Sequence, residues 1–341
     1  MKNILAIALA VSLLPAGCGK DEVSAPDASG RGDRITFSAE APTLTRSHFP
    51  GSGGVMYWDT YDNLGVYALK DGALQKQDFC AISSASAGTN EGKFTPKNIL
   101  YTSEWADATE AEYTFCAYYP QLEAPAATYS DGKVQLRIPS VQTGEFGRYH
   151  ICCSEPVKMT GAEIGKQKMV RFDFSPVSAL LRVRLVVDAE SAVQQTSIRQ
   201  LTLSASGAVL TGDCTLTLAD GTLVPVTPSA DRNTVTVNLS SPVKITTTAE
   251  ENPYIDLVLL PVAPTGNLSF SATTVDNVLL TIQDKTAPAG GFEAGKRYTL
   301  DRWVDLQFDE NADDGGYVDG GSAWEPAVDD DGAYTDDGNA W

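Results

Sequence analysis

The chain has 341 residues, 43% of them hydrophobic, and a formal net charge of −19. That length and apolar content support real cores and a prior of two domains, while the acidic balance argues against nucleic acid as a partner, which needs clustered Lys and Arg. Cys18 aside, five cysteines remain (Cys80, Cys116, Cys152, Cys153 and Cys214), an odd and sparse set on which no disulfide framework is built.

At the N-terminus Lys2 precedes an apolar run from Ile4 to Leu14, broken only by Ser12. The run is too short to span a bilayer, which takes about 20 apolar residues. It fits the apolar region of a secretory signal peptide. Ala16 and Gly17 then precede Cys18, the small-residue approach that a lipoprotein signal peptidase accepts. Pro15 stands where that box usually has Leu, and Leu14 lies one position earlier. The expected cut leaves residues 1–17 as signal peptide and Cys18 as a lipidated mature N-terminus. An ordinary signal peptide cut nearby is the alternative. Acyl chains such as palmitate contribute about 0.8 kcal/mol per buried methylene, and several together anchor a protein in the outer membrane. Lys20, Asp21 and Glu22 resemble a surface-export signal that sends lipoproteins to the outer face of that membrane; a solvated tether is the plainer reading. Residues 18–34 read as that tether. It contains Arg31-Gly32-Asp33, an integrin-recognition tripeptide that chance also supplies.

From Ile35 onward the pattern is β almost throughout. Ile35, Phe37 and Ala39 alternate with polar Thr36, Ser38 and Glu40, which predicts a first strand with one apolar face. Asp71-Gly72 and Asp131-Gly132 mark turns. Leu181, Val183, Leu185 and Val187 alternate with Arg182 and Arg184, a half-buried strand. The best hairpin signal is Cys214 to Leu218, then Asp220-Gly221, then Thr222 to Val226, expected as a tight type I′ turn. Thr234 to Leu239 alternates as well. Ile255 to Leu260 reads as a more buried strand, and Asp276-Asn277 as a turn. Many short strands with frequent turn signals predict an all-β chain of sandwiches. The expected divisions are 35–190, an N-terminal sandwich, and 191–308, a C-terminal sandwich.

Residues 309–341 change composition. They hold 11 acids and no Lys or Arg, more than half of the net charge. They also hold a two-copy repeat: Gly315 to Trp324 and Gly332 to Trp341 agree at six of ten positions, including Tyr317 with Tyr334, Asp319 with Asp336 and Trp324 with Trp341. Two copies are too few for a solenoid.

Catalytic chemistry is sparse. The two histidines are His48 and His150, and neither Cys-x-x-Cys nor His-Glu-x-x-His spacing occurs. No metal site and no cofactor are expected. A Ser–His–Asp triad need not be contiguous in sequence, but no Gly-x-Ser-x-Gly elbow is present. Asp309-x-Asn311-x-Asp313 opens like a calcium loop, then fails at Asp314 and Gly320, where Gly and Glu are required. Cys152 and Cys153, adjacent in a strand, are expected to point to opposite faces. At least one thiol is expected to stay free, and if two pair, Cys80 and Cys116 are the expected partners. No catalytic residue is expected, and the chain reads as a non-enzyme.

Several segments, in this order, resemble the fimbrillin family, the subunits of lipoprotein-derived type V pili. They are Ile35-Thr36-Phe37 followed by Thr45-Arg46; Tyr57-Trp58-Asp59 with Leu64-Gly65-Val66-Tyr67; and Tyr113 to Pro120, which is similar to a Phe-x-Ala-Tyr-Tyr-Pro strand. Phe172-Asp173-Phe174, Leu259-Leu260-Pro261 and Gly295-Lys296-Arg297-Tyr298-Thr299-Leu300 complete the match, which covers about residues 35–303. Ser175-Pro176 departs from it, since family members often have His there. The resemblance implies two transthyretin-like β-sandwich domains in tandem. It also implies a lipoprotein precursor, cut by an Arg-specific protease and assembled at the cell surface by strand exchange with other pilin subunits. Arg46 is then the candidate cleavage site, with Arg31 and Arg34 as alternatives, and Ile35, Phe37 and Ala39 belong to the displaced strand. The role is a fimbrial subunit or an accessory or tip adhesin meeting host or bacterial surface receptors. Tyr317, Trp324, Tyr334 and Trp341 are the candidate anchors of a donated tail. The alternative is a surface glycan-binding lipoprotein that never polymerises.

Overall fold

The computed structural model describes residues 34–40, 57–97, 105, 110–121, 126–226, 233–264, 266–311, 316–319 and 335–336. In chain order the strands are β1 (Thr36–Glu40), β2 (Asn63–Lys70), β3 (Ala73–Ile82), β4 (Glu91–Pro96), β5 (Glu112–Tyr119), β6 (Tyr129–Ser130), β7 (Lys133–Ile138) and β8 (Val141–Thr143). They continue with β9 (Cys152–Ser154), β10 (Val157–Thr160), β11 (Met169–Phe172), β12 (Phe174–Pro176), β13 (Ala179–Val187), β14 (Gln195–Ala205), β15 (Gly212–Thr217) and β16 (Leu223–Pro225). The last are β17 (Thr234–Thr246), β18 (Tyr254–Leu259), β19 (Asn267–Thr274), β20 (Leu279–Thr286), β21 (Arg297–Val304), β22 (Leu306–Phe308), β23 (Tyr317–Asp319) and β24 (Thr335–Asp336). A single α-helix, α1 (Gly161–Gln167), is described. It starts at a capping box in which Thr160 and Glu163 satisfy each other's backbone N–H. The all-β class read from the sequence is the class observed.

Local rules explain the turns. Asp71 and Gly72 have φ of 51° and 75°, and Asp131 and Gly132 have 50° and 77°, so both pairs make the two-residue type I′ turns their sequences predict. Asp220-Gly221 differs: only Gly221 has a positive φ, 70°. Thr217 N donates to Thr222 O at 2.9 Å and Gly221 N to Thr217 O at 3.0 Å, which makes the loop longer than two residues. The cause is the Asp220 side chain, whose Oδ1 accepts from Thr222 N at 2.9 Å and stabilises an Asx turn instead.

Three cores follow from the sheets. Nine strands form one sheet in the order β11-β1-β4-β3-β2-β5-β9-β12, with β10 also on β5. Its two ends, β11 and β12, are separated by Asp173 alone, so the sheet wraps round on itself. Inside lies the first core, with Phe37, Leu64, Phe94, Phe115, Tyr119 and Phe172 among its members. Farther along, the sheet β18-β13-β21-β24 faces the sheet β20-β19-β14-β17-β8 across the second core, a sandwich built from residues such as Leu181, Val183, Leu203, Val237 and Leu300. A division at 190/191 falls after β13, yet β13 pairs with β18 and β21 and so belongs with the C-terminal strands.

The third core joins these bodies. The sheet β16-β15-β7-β6 packs Val134, Ile138, Cys214 and Leu216 against Tyr67, Tyr118, Cys153, Leu180 and Val258. Buried Gln142 fastens the same region: its Oε1 accepts from Val258 N at 3.0 Å and its Nε2 donates to Val258 O at 2.8 Å. Gly65 shows how tightly the first sheet is packed. A Cβ there would lie 2.4 Å from the ring of Tyr118, its cross-strand partner.

Candidate functional site

The first strand is the feature on which the resemblance turns, and its setting is unusual for a terminal segment. β1 is an internal strand, paired on both sides. It runs antiparallel to β4, with Phe37 opposite Phe94, and parallel to β11, with Phe37 opposite Val170. Ile35, Phe37 and Ala39 are 0%, 0% and 1% exposed. The Phe37 ring stacks on Phe172 at 5.4 Å and lies 6.2 Å from Phe115. Burying Ile35 and Phe37 stabilises by roughly 1.5–3 kcal/mol each.

Polar contacts hold the strand at both ends. Thr36 N and Oγ1 both donate to Lys168 O, at 3.0 and 3.2 Å, just beyond α1. Lys168 has φ of 53°, which turns its carbonyl out of the helix toward β1. At the far end Trp58 Nε1 donates to Ala39 O at 3.1 Å. The indole is buried, edge-on to Phe94 at 5.0 Å and to Tyr119 at 5.3 Å. Arg171 pairs with Glu40, but both side chains are more than half exposed, so the pair contributes little. Without β1, strands β4 and β11 would face each other across a gap of about 10 Å, two strand spacings. Their main-chain groups would be unpaired, and apolar pockets would remain at alternate positions.

Of the other residues singled out from the sequence, Cys18, Lys20, Asp21, Glu22, Arg46, Trp324, Tyr334 and Trp341 lie outside the described residues. So do Arg31 and His48. Tyr317 is described, half-buried against the second core, with its hydroxyl hydrogen-bonded to Thr196 Oγ1. Cys80 and Cys116, the expected partners should any two thiols pair, are not bonded to each other. All five thiols are free and buried. Cys80 faces the first core and Cys116 the third, on opposite sides of one sheet. Cys152 and Cys153 divide between the same two cores, as adjacent strand residues must. Burial pushes the Cys116 thiol up to about 11 and those of Cys153 and Cys214 up to about 12, so none is a poised nucleophile.

A Ser–His contact does exist. Ser178 Oγ lies 2.7 Å from His150 Nδ1, but both residues are 0% exposed. Ser178 Oγ also accepts from Ile151 N at 3.0 Å. Burial holds the imidazole neutral, its pKa down to about 3. The pair ties the β12–β13 link to the segment before β9 and offers no path to a substrate. Among the described residues no group of three His, Cys, Asp or Glu converges as metal ligands. The role of Trp58 on β1 is not legible in the sequence. Its motif position is visible, but the acceptor, Ala39, is a backbone group with no sequence signature.

The fimbrillin-like family profile matches residues 45–310. The chain belongs to the fimbrillin-like family. It is thereby a fimbrial-type surface protein. Among solved structures it is similar to a candidate cell adhesion protein from Bacteroides uniformis, with a TM-score of 0.51 and 16% identity over 89% of this chain and 98% of that one. A second candidate cell adhesion protein, from Bacteroides ovatus, gives a TM-score of 0.51 and 15% identity over 85% and 96%. A fimbrial protein from Bacteroides vulgatus gives a TM-score of 0.40 and 14% identity over 75% and 90%. At these identities the first two show the fold alone. No curated protein matches the sequence. Among the described residues of this fimbrillin-like chain, no helix is long and apolar enough to cross a membrane.

Proposed function

We propose that this chain is a pilus subunit, or an accessory or tip adhesin, that accepts the strand of a neighbouring subunit in place of its own β1. In this reading it leaves the cell as a lipoprotein anchored through Cys18, is routed to the outer face of the outer membrane by Lys20, Asp21 and Glu22, and is cut after Arg46. Its two bodies are tandem transthyretin-like sandwiches, divided between β12 and β13. The observation that carries the reading is the position of β1. A segment close to the N-terminus fills an internal position of a sheet, between β11 and β4, and part of a core, so its removal opens a groove and not merely an edge. An exposed strand edge recruits another strand through main-chain hydrogen bonds, and alternate pockets select its side chains. Here the pockets are those of Ile35, Phe37 and Ala39, large, large and small.

The acidic, Gly-rich C-terminus is a poor strand by propensity. The chain is therefore a better acceptor than donor, which suits a filament end. The test is treatment of the purified precursor with an Arg-specific protease. Wild type should form oligomer ladders with a partner pilin, and Arg46→Ala should not. Assembly by the Arg46→Ala protein with β1 still attached would overturn the mechanism. A stable processed monomer that binds polysaccharide would favour the glycan-binding alternative.

A further inference from the structure

The two-copy repeat of the tail is absorbed by nothing above, and both copies return to the same place. On one side of the C-terminal sandwich β20 ends its sheet, and β21 is followed in its own sheet by the two-residue β24 alone. The two strands lie next to each other there, since Arg302 of β21 donates to the carbonyl of Gln283 in β20. Among the described residues β20 pairs with β19 alone, and no strand lies on its other side.

The first repeat copy supplies β23. Its triplet Tyr317-Val318-Asp319 pairs with β22, with Phe308 opposite Tyr317 and Leu306 opposite Asp319. Asp319 Oδ2 then accepts from Thr281 N of β20 at 2.9 Å, so a carboxylate takes the place of a neighbouring strand's carbonyl. Tyr317 fixes the triplet from the other side through Thr196 and the second core. The equivalent triplet of the second copy is Tyr334-Thr335-Asp336. Its last two residues form β24, which lies antiparallel on β21, with Thr335 opposite Thr299 and Asp336 opposite Tyr298. One copy thus meets the edge of one sheet and the other copy meets the edge of its companion.

We propose that the tail is an edge cap: the seam between β20 and β21 is a strand-docking surface, and its occupant is the chain's own tandem repeat. Unpaired edges invite association with other chains, and proteins cover them for that reason. The Asp319 contact is a charge-assisted hydrogen bond to a backbone N–H, stronger than a neutral one. The tail carries no cation, and the two strands it meets contain Lys285, Arg297 and Arg302 against Asp284 and Asp301, a slight excess of positive charge. The cap forms on the unprocessed chain with β1 in place, so it stands whether or not cleavage at Arg46 drives assembly. It also explains why the C-terminus is a poor donor: a tail committed in cis must be released before it can act in trans.

The experiment uses the unprocessed chain and a version ending at Glu310. A labelled peptide of residues 315–341 is titrated into each and followed by fluorescence anisotropy, with a scrambled peptide of equal composition as control. The peptide should bind the truncated chain at least about tenfold more tightly than the full chain, a difference near 1.4 kcal/mol. The scrambled peptide should not discriminate. Hydrogen exchange over residues 279–286 and 297–304 should speed up on truncation, and in Asp319→Ala over 279–286 alone, with residues 112–119 of β5 unchanged in both. Equal protection in full and truncated chains, or equal binding of the scrambled peptide, would overturn the cap.

Discussion

The indole N–H of Trp58 donates to the backbone carbonyl of Ala39 across 3.1 Å, from the segment before β2 to the end of β1. The contact is buried, so its loss leaves a carbonyl with no water to replace the donor. Trp58→Phe keeps most of the ring and removes the donor. It is expected to cost about 1–3 kcal/mol in denaturant unfolding and to speed hydrogen exchange in residues 35–40 more than in β5. Unchanged exchange in β1 would show that the aromatic packing alone holds the strand.

The proposed lipid anchor is Cys18. Cys18→Ala is expected to abolish incorporation of labelled fatty acid and to release the protein from membranes. Continued labelling of the mutant would place the anchor elsewhere.

Thiol chemistry follows from the division of the cysteines between cores. In protein lacking Cys18, unreduced and denatured, five thiols should titrate. In the native state they should react far more slowly, because all five are buried and their thiolates disfavoured. Fewer than five thiols in the denatured sample would reveal a disulfide.

His150 makes stability depend on pH. Its folded pKa of about 3 lies below the usual 6.5, so the unfolded chain binds the proton more readily. The contribution is complete above pH 6.5 and is lost as pH falls from 6.5 toward 3. Midpoints of urea unfolding measured between pH 7 and 5 should fall for the wild type, and the fall should be smaller in His150→Gln. Identical slopes would mean that other groups control this range.

Close packing at Gly65 gives a further test. Gly65→Ala would place a methyl 2.4 Å from the Tyr118 ring, in a sheet packed on both faces. A loss of about 1–3 kcal/mol is expected from overpacking. A thermal melt within about one degree of wild type would show that Tyr118 swings aside without cost.

Sequence alone determined the local grammar of this protein. The alternation in Leu181, Val183 and Leu185 assigned a strand and its buried face, because side chains on a strand repeat every second residue. Asp71-Gly72 assigned a turn, because those residues tolerate positive φ. The ordered motifs from Tyr57-Trp58-Asp59 to Gly295-Lys296-Arg297 were enough to indicate the family. Tertiary structure decided which strands meet. Nothing in Thr36 to Glu40 says that its neighbours are residues 91–94 and 169–172, since main-chain hydrogen bonds are the same for every sequence and only global packing chooses among partners. The same holds for β13, whose partners in β18 are 70 to 80 residues away, and for Cys80 and Cys116, which the sheet separates. The expected two-residue turn at Asp220-Gly221 failed for a related reason: one side-chain hydrogen bond to Thr222 outweighed the propensity of the pair. The docking of the repeat on β20 and β21 was equally hidden, because its weak strand propensity is overcome by edges that only the folded sandwich presents.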